Sequence, residues 1–207
     1  FATVTQQSTE STDQGYTSAS VLRSYYDEKE LEYAFTSDCK MHLPASDLKG
    51  KKVLDICCRR GRGVYKISSM VGDEGFAMGT DWVESYINEA KEDSERAWLD
   101  SNLKRNNMEF RVAFPEDLIS AGIGTGTFDV VYVNNVVNLF YNPEEALREF
   151  ARVLKPGGLL LMETVFSNEK HSAEFREKAK DLGNSIQAGL TAHENDVLLD
   201  SEGFGSS

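Results

Sequence analysis

Two aspartates and the short loop between them are the residues of this sequence with the clearest chemical use. Asp55 lies in the apolar run 53–56, which leads into a loop over residues 57–63, and Asp81 ends a second strand-like run. Strand, loop, helix and strand in this order, with an acidic residue closing the second strand, are how doubly wound sheets hold a cofactor that contains adenosine. The segment 51–81 therefore predicts a cofactor cradle.

The loop of this cradle carries an unusual set of side chains. The adjacent Cys57 and Cys58 could form a reactive or metal-binding pair, but small apolar fillers at a strand end are the favoured interpretation. The arginines that follow could hold a phosphate at a helix N-terminus. We favour the hypothesis that Arg59 fills the ligand space and pairs with Asp81 or Asp55. The three histidines are scattered without metal-ligand spacing, so no metal site is predicted.

The composition limits the partners and the compartment of the protein. A formal net charge of -12 argues against nucleic-acid binding and against docking on anionic lipid. No apolar run approaches the length of a transmembrane segment. Three cysteines, two of them adjacent, do not make a disulfide framework, so a soluble protein of a reducing compartment such as the cytoplasm is expected. The first residues, Phe1 and Ala2, resemble a plastid-import cleavage signal of secondary algae, so a plastid location, peripheral to a membrane complex, is the alternative; trimming of the chain explains them equally well.

The chain divides into an arm and one domain. Residues 1–18, rich in Thr, Ser and Gln, predict an extended arm, and residues 19–207 predict a single domain. The strict alternation of strands and helices predicts an α/β three-layer sandwich with a mainly parallel sheet. The predicted strands cover residues 53–56, 76–80, 108–113, 128–133 and 159–165. The predicted helices cover about 19–35, 62–71, 82–101, a turn at 115–119, 143–154 and 175–190.

Four motifs in this frame resemble those of Rossmann-fold S-adenosylmethionine-dependent methyltransferases, in order and spacing. They are Val53-Leu54-Asp55, Asp81, Phe128-Asp129-Val130-Val131 and Leu154-Lys155-Pro156-Gly157-Gly158. The resemblance covers most of the chain. It implies a Rossmann-like sheet of the methyltransferase type, with S-adenosylmethionine as the cofactor if the protein is active.

The resemblance also implies a set of cofactor-binding residues and a degenerate cofactor loop. The glycine positions of the loop fall on Cys57, Arg59 and Gly61, so only the last glycine is kept. Because glycine alone visits the conformations of such a turn freely, a Cβ there either meets the ligand or forces another backbone path. Arg59 is therefore expected to block the site. The implied cofactor-binding residues are Asp55, Cys57, Gly61, Asp81 for the ribose, Phe114 beside the adenine and Asn134 near the sulfonium; no catalytic residue is implied.

The closest resemblance within the superfamily is to arsenite methyltransferases and methyltransferase type 11 domains. It is carried by Tyr25-Tyr26, by residues 134–139 and by Leu182-Gly183. The two tyrosines could cover the cofactor or simply pack on the domain. The arsenic-binding cysteines of that group are mostly missing, since Cys39 is a candidate for the first but Asn135 and Asn184 stand at the other two. Trivalent arsenic needs thiolates, so arsenite is not expected to be the substrate.

The predicted sheet lacks the last two strands that methyltransferases of this fold normally carry. An apolar edge would then run between Leu159 and Phe166, and such an edge invites pairing unless it is covered. The chain could continue past Ser207, its last helices could fold over the edge, or another protein could cover it. We favour coverage by a protein partner or by another segment of the chain.

Two functions follow from these observations. The favoured hypothesis is a methyltransferase-like protein with a degraded S-adenosylmethionine site, which acts as a non-catalytic scaffold or assembly subunit of a larger complex. The alternative is an active methyltransferase that modifies a small molecule other than arsenite, by proximity and orientation rather than by a general base. In the first case the protein uses no cofactor.

Overall fold

The structure, a computed structural model, describes residues 2–4, 16–27, 41–43 and 48–206 of the chain. Strands and helices alternate through the described core, as the sequence predicts. The strands are β1 (Ala2–Val4), β2 (Lys52–Ile56), β3 (Phe76–Asp81), β4 (Met108–Val112), β5 (Phe128–Asn134), β6 (Leu154–Glu163) and β7 (Phe204–Ser206). The helices are α1 (Ala19–Asp27), α2 (Arg62–Val71), α3 (Glu84–Leu99), α4 (Pro143–Val153), α5 (Ala173–Asp181) and α6 (Ala192–Ser201).

These strands form one sheet in the order β4-β3-β2-β5-β6-β1-β7. The strands from β4 to β6 are parallel, whereas β1 is antiparallel to both of its neighbours. The strand order reverses direction at β2, which has β3 on one side and β5 on the other. In open α/β sheets, ligands bind outside the carboxyl ends of the strands at this point. The predicted Rossmann-like architecture is confirmed.

Two short strands extend the sheet beyond β6, but only β7 follows β6 in the chain, and β1 comes from the predicted N-terminal arm. The pairs Ala2–Leu160 and Thr3–Leu159 join β1 to β6, and β7 pairs with β1 in turn. Each added strand has three residues, too few for an alternating apolar pattern to show in the sequence. Another segment of the chain therefore covers part of this edge, which is one of the two kinds of coverage that we favoured. Residues 2–4 of the predicted arm are a strand, and residues 5–15 lie outside the described residues.

Apolar side chains cover both faces of the sheet, as a three-layer sandwich requires. On one face, a buried cluster joins Leu54 of β2 to Phe150 of α4. On the other face, Val53 of β2 packs with Ile67 of α2 and Ile87 of α3. Adjacent residues of β2 thus point into different layers, and the strand is fixed in the centre of the molecule.

Helix α4 begins where the sequence predicts, whereas the segment predicted as a helical turn, residues 115–119, is not helical. The Asn142 side chain accepts a hydrogen bond from the Glu145 backbone N–H at 3.1 Å, and Pro143 lies in the first turn. This is the usual way to satisfy a free N–H group at a helix start. Residues 115–119, predicted as a helical turn, form non-helical turns with an isolated bridge between Phe114 and Asp117.

The prediction of a single late helix over residues 175–190 was wrong. Helix α5 ends at Asp181, and Gly183 has a φ of 63°, in the left-handed region that commonly ends helices. Helix α6 begins separately, at residue 192. The apolar spacing was misleading, because Leu182 is 72% exposed and Ile186 is 40% exposed.

The leading helix is shorter in the described residues than the sequence predicts. Helix α1 spans Ala19–Asp27, and the rest of the predicted segment, 28–35, lies outside the described residues. Its buried residues are Leu22 and Tyr26, so one face of α1 packs on the domain. Over the described ranges, no helix is long and apolar enough to cross a membrane.

Candidate cofactor site

The loop between β2 and α2 keeps a glycine-like backbone although two of its residues carry side chains. The φ angles of Cys57 and Arg59 are 58° and 50°, and that of Gly61 is 79°. Residues with a Cβ avoid this left-handed region, where they lose about 1–2 kcal/mol each. The backbone therefore follows a path suited to glycine at all three positions. The side chains of Cys57 and Arg59 project from that path.

Asp81, at the end of β3, ties this loop to the sheet. The side chain is 2% exposed. Its Oδ2 accepts a hydrogen bond from the Arg59 backbone N–H at 2.9 Å, and its Oδ1 accepts one from the Val83 N–H at 2.9 Å. Burial raises the pKa of Asp81, while these N–H groups and the nearby Arg59 charge act in the opposite direction. Both oxygens that were expected to receive ribose hydroxyls thus already accept hydrogen bonds from the backbone.

Arg59 meets Asp81 in a different way from the one we expected. The Arg59 backbone N–H donates to Asp81, and the Arg59 side chain is exposed. Its guanidinium lies 5.8 Å from the centre of the Tyr86 ring. The adjacent Arg60 lies closer, at 4.1 Å, and its Nε is 2.6 Å from Glu89 Oε2. Arg59 therefore lies over the outside of the loop and does not fill a buried pocket.

Asp55 faces the start of α2 from within the sheet. The side chain is 5% exposed, and its Oδ2 lies only 2.5 Å from where a Cβ on Gly63 would stand. Glycine is thus required at position 63 by this close approach. Burial and the neighbouring Asp81 charge raise the pKa of Asp55 to about 8. Burial therefore favours the neutral form of this carboxyl group.

The two cysteines of the loop behave as packing residues. Cys58 is 8% exposed, and its Sγ lies 2.6 Å from where a Cβ on Gly79 would stand. Burial raises the pKa of both thiols well above the ordinary value. A reactive or metal-binding thiol needs the thiolate form, so the interpretation as small apolar fillers is supported. In the described part of the chain, no group of His, Cys, Asp and Glu could hold a metal ion.

Phe114 belongs to an aromatic group beside the loop. The Tyr26 ring stacks on Trp82, with ring centres 4.4 Å apart, and on Phe114, with ring centres 5.6 Å apart. The Tyr26 hydroxyl donates to Glu116, which is fully buried. We name Trp82, Phe114 and Glu116 the Tyr26 pocket. The sequence predicted a site role for Phe114 but not for Trp82 or Glu116. The available signal was their position, Trp82 directly after Asp81 and Glu116 two residues after Phe114.

Asn134 lies at the carboxyl end of β5, the strand adjacent to β2. Its Oδ1 is buried and, among the described residues, has no hydrogen-bond partner. An acceptor left in this state is unfavourable unless a ligand or water satisfies it. Of the predicted site residues, this one has the clearest unmet hydrogen-bonding capacity.

The positions expected to match arsenic-binding cysteines carry amides with structural contacts. Asn135 has a φ of 55°, and its backbone N–H donates to Glu163 O at 2.7 Å. Asn184 Oδ1 accepts from the Gln187 N–H at 3.0 Å. Cys39 lies outside the described residues. No thiolate therefore stands at either described position.

The structure brings the predicted site residues to one edge of the sheet. Cys57 and Phe114 lie in one apolar cluster. Asp81 is bonded to the loop, and Asn134 ends the neighbouring strand. The strand, loop, helix and strand of the predicted cradle are present, and the Tyr26 ring packs against Phe114 beside the loop.

Replacing Arg59 by glycine is expected to raise the free energy of unfolding by about 1 kcal/mol, because the left-handed strain is removed. Arg60 supplies the matched control, since its φ is not positive. Arg60→Gly loses the contact with Glu89 and gains nothing in return, so it should be neutral or destabilising. Urea unfolding of both variants would measure the difference. Equal destabilisation by the two glycines would show that Arg59 is not strained.

Known proteins are similar to this chain in sequence and in fold. A family model described as a methyltransferase domain matches residues 47–201. An arsenite methyltransferase of Aquipseudomonas alcaligenes is 32% identical over 80% of this chain and 47% of its own length, and the human arsenite methyltransferase is 28% identical over 88% and 48%. The crystal structure of an arsenic (III) S-adenosylmethionine methyltransferase from Chlamydomonas reinhardtii aligns with a TM-score of 0.74 and 28% identity, over 84% of this chain and 57% of that one.

The similarities cover different shares of this chain and of the known proteins. The chain spans about half the length of the curated relatives it matches. The family model, in contrast, covers most of the chain, including β2 to β6 and α2 to α6. The chain therefore belongs to the methyltransferase domain family, and it is similar to the arsenite methyltransferases among the S-adenosylmethionine-dependent enzymes.

Proposed function

We propose that this chain is a methyltransferase-like protein with a degraded S-adenosylmethionine site, acting as a non-catalytic scaffold or assembly subunit. The observation that carries the proposal is the left-handed conformation of Arg59, with a φ of 50°, in the cofactor loop. Where glycine takes this conformation, a ligand can approach the backbone directly. Here Arg59 carries a Cβ at this backbone position, and its exposed side chain extends over the outside of the loop.

Other residues of the cradle also support the proposal of a degraded site. The ring of Tyr26 lies against Phe114, the residue expected beside an adenine. Both oxygens of Asp81 accept backbone hydrogen bonds, although each oxygen keeps further lone-pair capacity. The residues present thus do not fit S-adenosylmethionine in this arrangement. We derive no methyl-transfer step for it.

Arsenite is not the substrate in this proposal. The bacterial arsenite methyltransferase is similar over 80% of this chain, but Asn135 and Asn184 are amides at the positions expected to match cysteines. Amide groups are hard ligands and do not replace thiolates on trivalent arsenic.

An active methyltransferase for another small molecule is the second candidate. Asn134 Oδ1 favours it, as a buried acceptor without a partner among the described residues. A substrate hydroxyl or amine at the end of β5 would satisfy that oxygen. The enzyme would then act by holding substrate and cofactor together, since no residue is placed as a general base.

The proposal includes a protein partner and a reducing compartment. Strand β1 covers Leu159 and Leu160, whereas Phe166 beyond the end of β6 is 54% exposed. The proposed partner contacts this uncovered end of the edge. A reducing compartment fits the buried free thiols of Cys57 and Cys58, and a plastid is the alternative.

Thermal unfolding with and without S-adenosylmethionine tests the proposed function. A ligand at about 100 times its dissociation constant adds roughly 2.7 kcal/mol of stability, which is easily detected. We expect no change in the unfolding midpoint up to millimolar ligand. A rise that saturates with ligand concentration would support the active enzyme instead, and transfer of a labelled methyl group would then identify the acceptor class.

A further inference from the structure

We propose that helix α1 is a built-in plug, in which the Tyr26 ring occupies a pocket that would otherwise accept an adenine base. This inference rests on the proposed function, because it concerns the same cradle. It names a second obstacle there, independent of the cofactor loop. The obstacle is a helix, whereas Arg59 belongs to the loop itself.

The Tyr26 ring is held as a bound base would be held. It is nearly parallel to Trp82, at 27°, and to Phe114, at 15°. Tyr26 is 3% exposed, so these contacts exclude water from the ring. Stacking on aromatic rings is how proteins commonly bind planar bases, and it accepts any flat ring of suitable size.

The polar edge of the Tyr26 pocket limits which flat ligands it could bind. The Tyr26 hydroxyl lies 2.8 Å from Glu116 Oε1 and 3.1 Å from Oε2. Glu116 Oε1 also accepts from the Asn142 backbone N–H at 3.2 Å. A flat ring with a donor at its edge is therefore required, and the exocyclic amine of adenine is such a donor. Asp81, directly before Trp82 in sequence, keeps lone-pair capacity beyond its two backbone hydrogen bonds, and ribose hydroxyls would use it.

Hydrogen bonds and buried side chains hold α1 and the residues just before it to the domain. The Thr17 backbone N–H and hydroxyl both donate to the carboxylate of Glu145, at 2.5 Å and 2.6 Å. Leu22 is fully buried beside Tyr26. The Tyr25 hydroxyl donates to Leu139 O at 3.0 Å. Because Tyr26 and an adenine need the same volume, nucleoside binding requires α1 to withdraw, and each of these contacts opposes it.

Adenosine is the probe that isolates this pocket, since it lacks the methionine part that would face Arg59. Calorimetric titration at pH 8 would compare the unmodified protein with Tyr26→Ala and with Tyr26→Phe, which keeps the ring. We expect Tyr26→Ala to bind adenosine at least about tenfold more tightly than the unmodified protein, because no tyrosine ring then competes for the pocket. Tyr26→Phe should gain far less. Inosine, with a carbonyl in place of the amine, should bind Tyr26→Ala more weakly than adenosine.

A second variant keeps the proposal testable if Tyr26→Ala does not fold. Thr17→Ala leaves the Tyr26 pocket intact but removes one hydrogen bond that holds α1, so adenosine affinity should rise by about fivefold. Unchanged affinity in a folded Tyr26→Ala, or in Thr17→Ala if the first variant is unfolded, overturns the plug. If the unmodified protein does not bind S-adenosylmethionine and Tyr26→Ala gains no affinity for adenosine, only the plug is contradicted. If the unmodified protein binds S-adenosylmethionine tightly, the proposed function is contradicted.

Discussion

Replacing Glu149 by alanine is expected to lower the free energy of unfolding by about 3–5 kcal/mol. The side chain is fully buried in α4. Its Oε2 accepts from the N–H groups of Leu118 and Ile119 at 2.8 Å and 3.0 Å. The same carboxylate binds Arg152 through Nε at 2.5 Å and Nη2 at 2.7 Å. Alanine would leave buried donors and a partly buried cation without their acceptor.

This effect reaches the candidate site because Leu118 follows Glu116 by two residues. The turn that Glu149 holds also carries Phe114, so loss of the carboxylate should loosen the Tyr26 pocket. Glu174→Ala is the control, since Glu174 pairs with Lys178 on the exposed face of α5. That pair should contribute at most about 0.5 kcal/mol. Urea unfolding that gives the same small loss for both variants would contradict the buried network.

Replacing Gly61 by alanine should lower the free energy of unfolding by about 2–4 kcal/mol, from backbone strain and crowding together. Its φ is +79°, and a Cβ would stand 2.9 Å from Phe110 Cε1 and 3.0 Å from Ala90 Cβ. Neither neighbour is the end of a flexible chain. Denaturant unfolding measures the loss, and circular dichroism checks that the variant folds.

Gly50→Ala separates the two causes. Gly50 has a φ of +74°, but a Cβ there meets nothing within 4 Å. This variant should lose only the backbone part, about 1–2 kcal/mol. If Gly50→Ala were as damaging as Gly61→Ala, crowding at the cofactor loop would be absent.

The sequence was sufficient to predict the frame of the site. The apolar run before Asp55 and the helical spacing of α2 are local patterns, and both elements lie where those patterns predict. Asp81 was placed correctly because it ends a strand that is buried from Ala77 onward. The start of α4 followed from the capping chemistry of Asn142.

Other features depend on contacts that are distant in sequence. Tyr26 meets Glu116 across 90 residues, and no spacing rule links a helix residue to a turn so far away. The three residues of β1 become a strand only because β6 offers an edge. In the late helix, one left-handed residue, Gly183, outweighed a regular apolar spacing.

The conformation of the loop was the hardest feature to predict. The sequence shows Cys57 and Arg59 in place of glycines, which is compatible with a rearranged backbone or with a strained one. The positive φ angles resolve this in favour of strain. Neighbouring contacts fix it, above all the bond from the Arg59 N–H to Asp81.

Calorimetric titration of S-adenosylmethionine tests the central claim, that side chains of this chain occupy a preserved cofactor frame. The unmodified protein is compared with a variant that combines Cys57→Gly, Arg59→Gly and Tyr26→Ala. We expect no binding by the unmodified protein up to millimolar ligand, and saturable binding by the combined variant. Saturable binding of one equivalent by the unmodified protein, with no gain in the variant, would contradict the account.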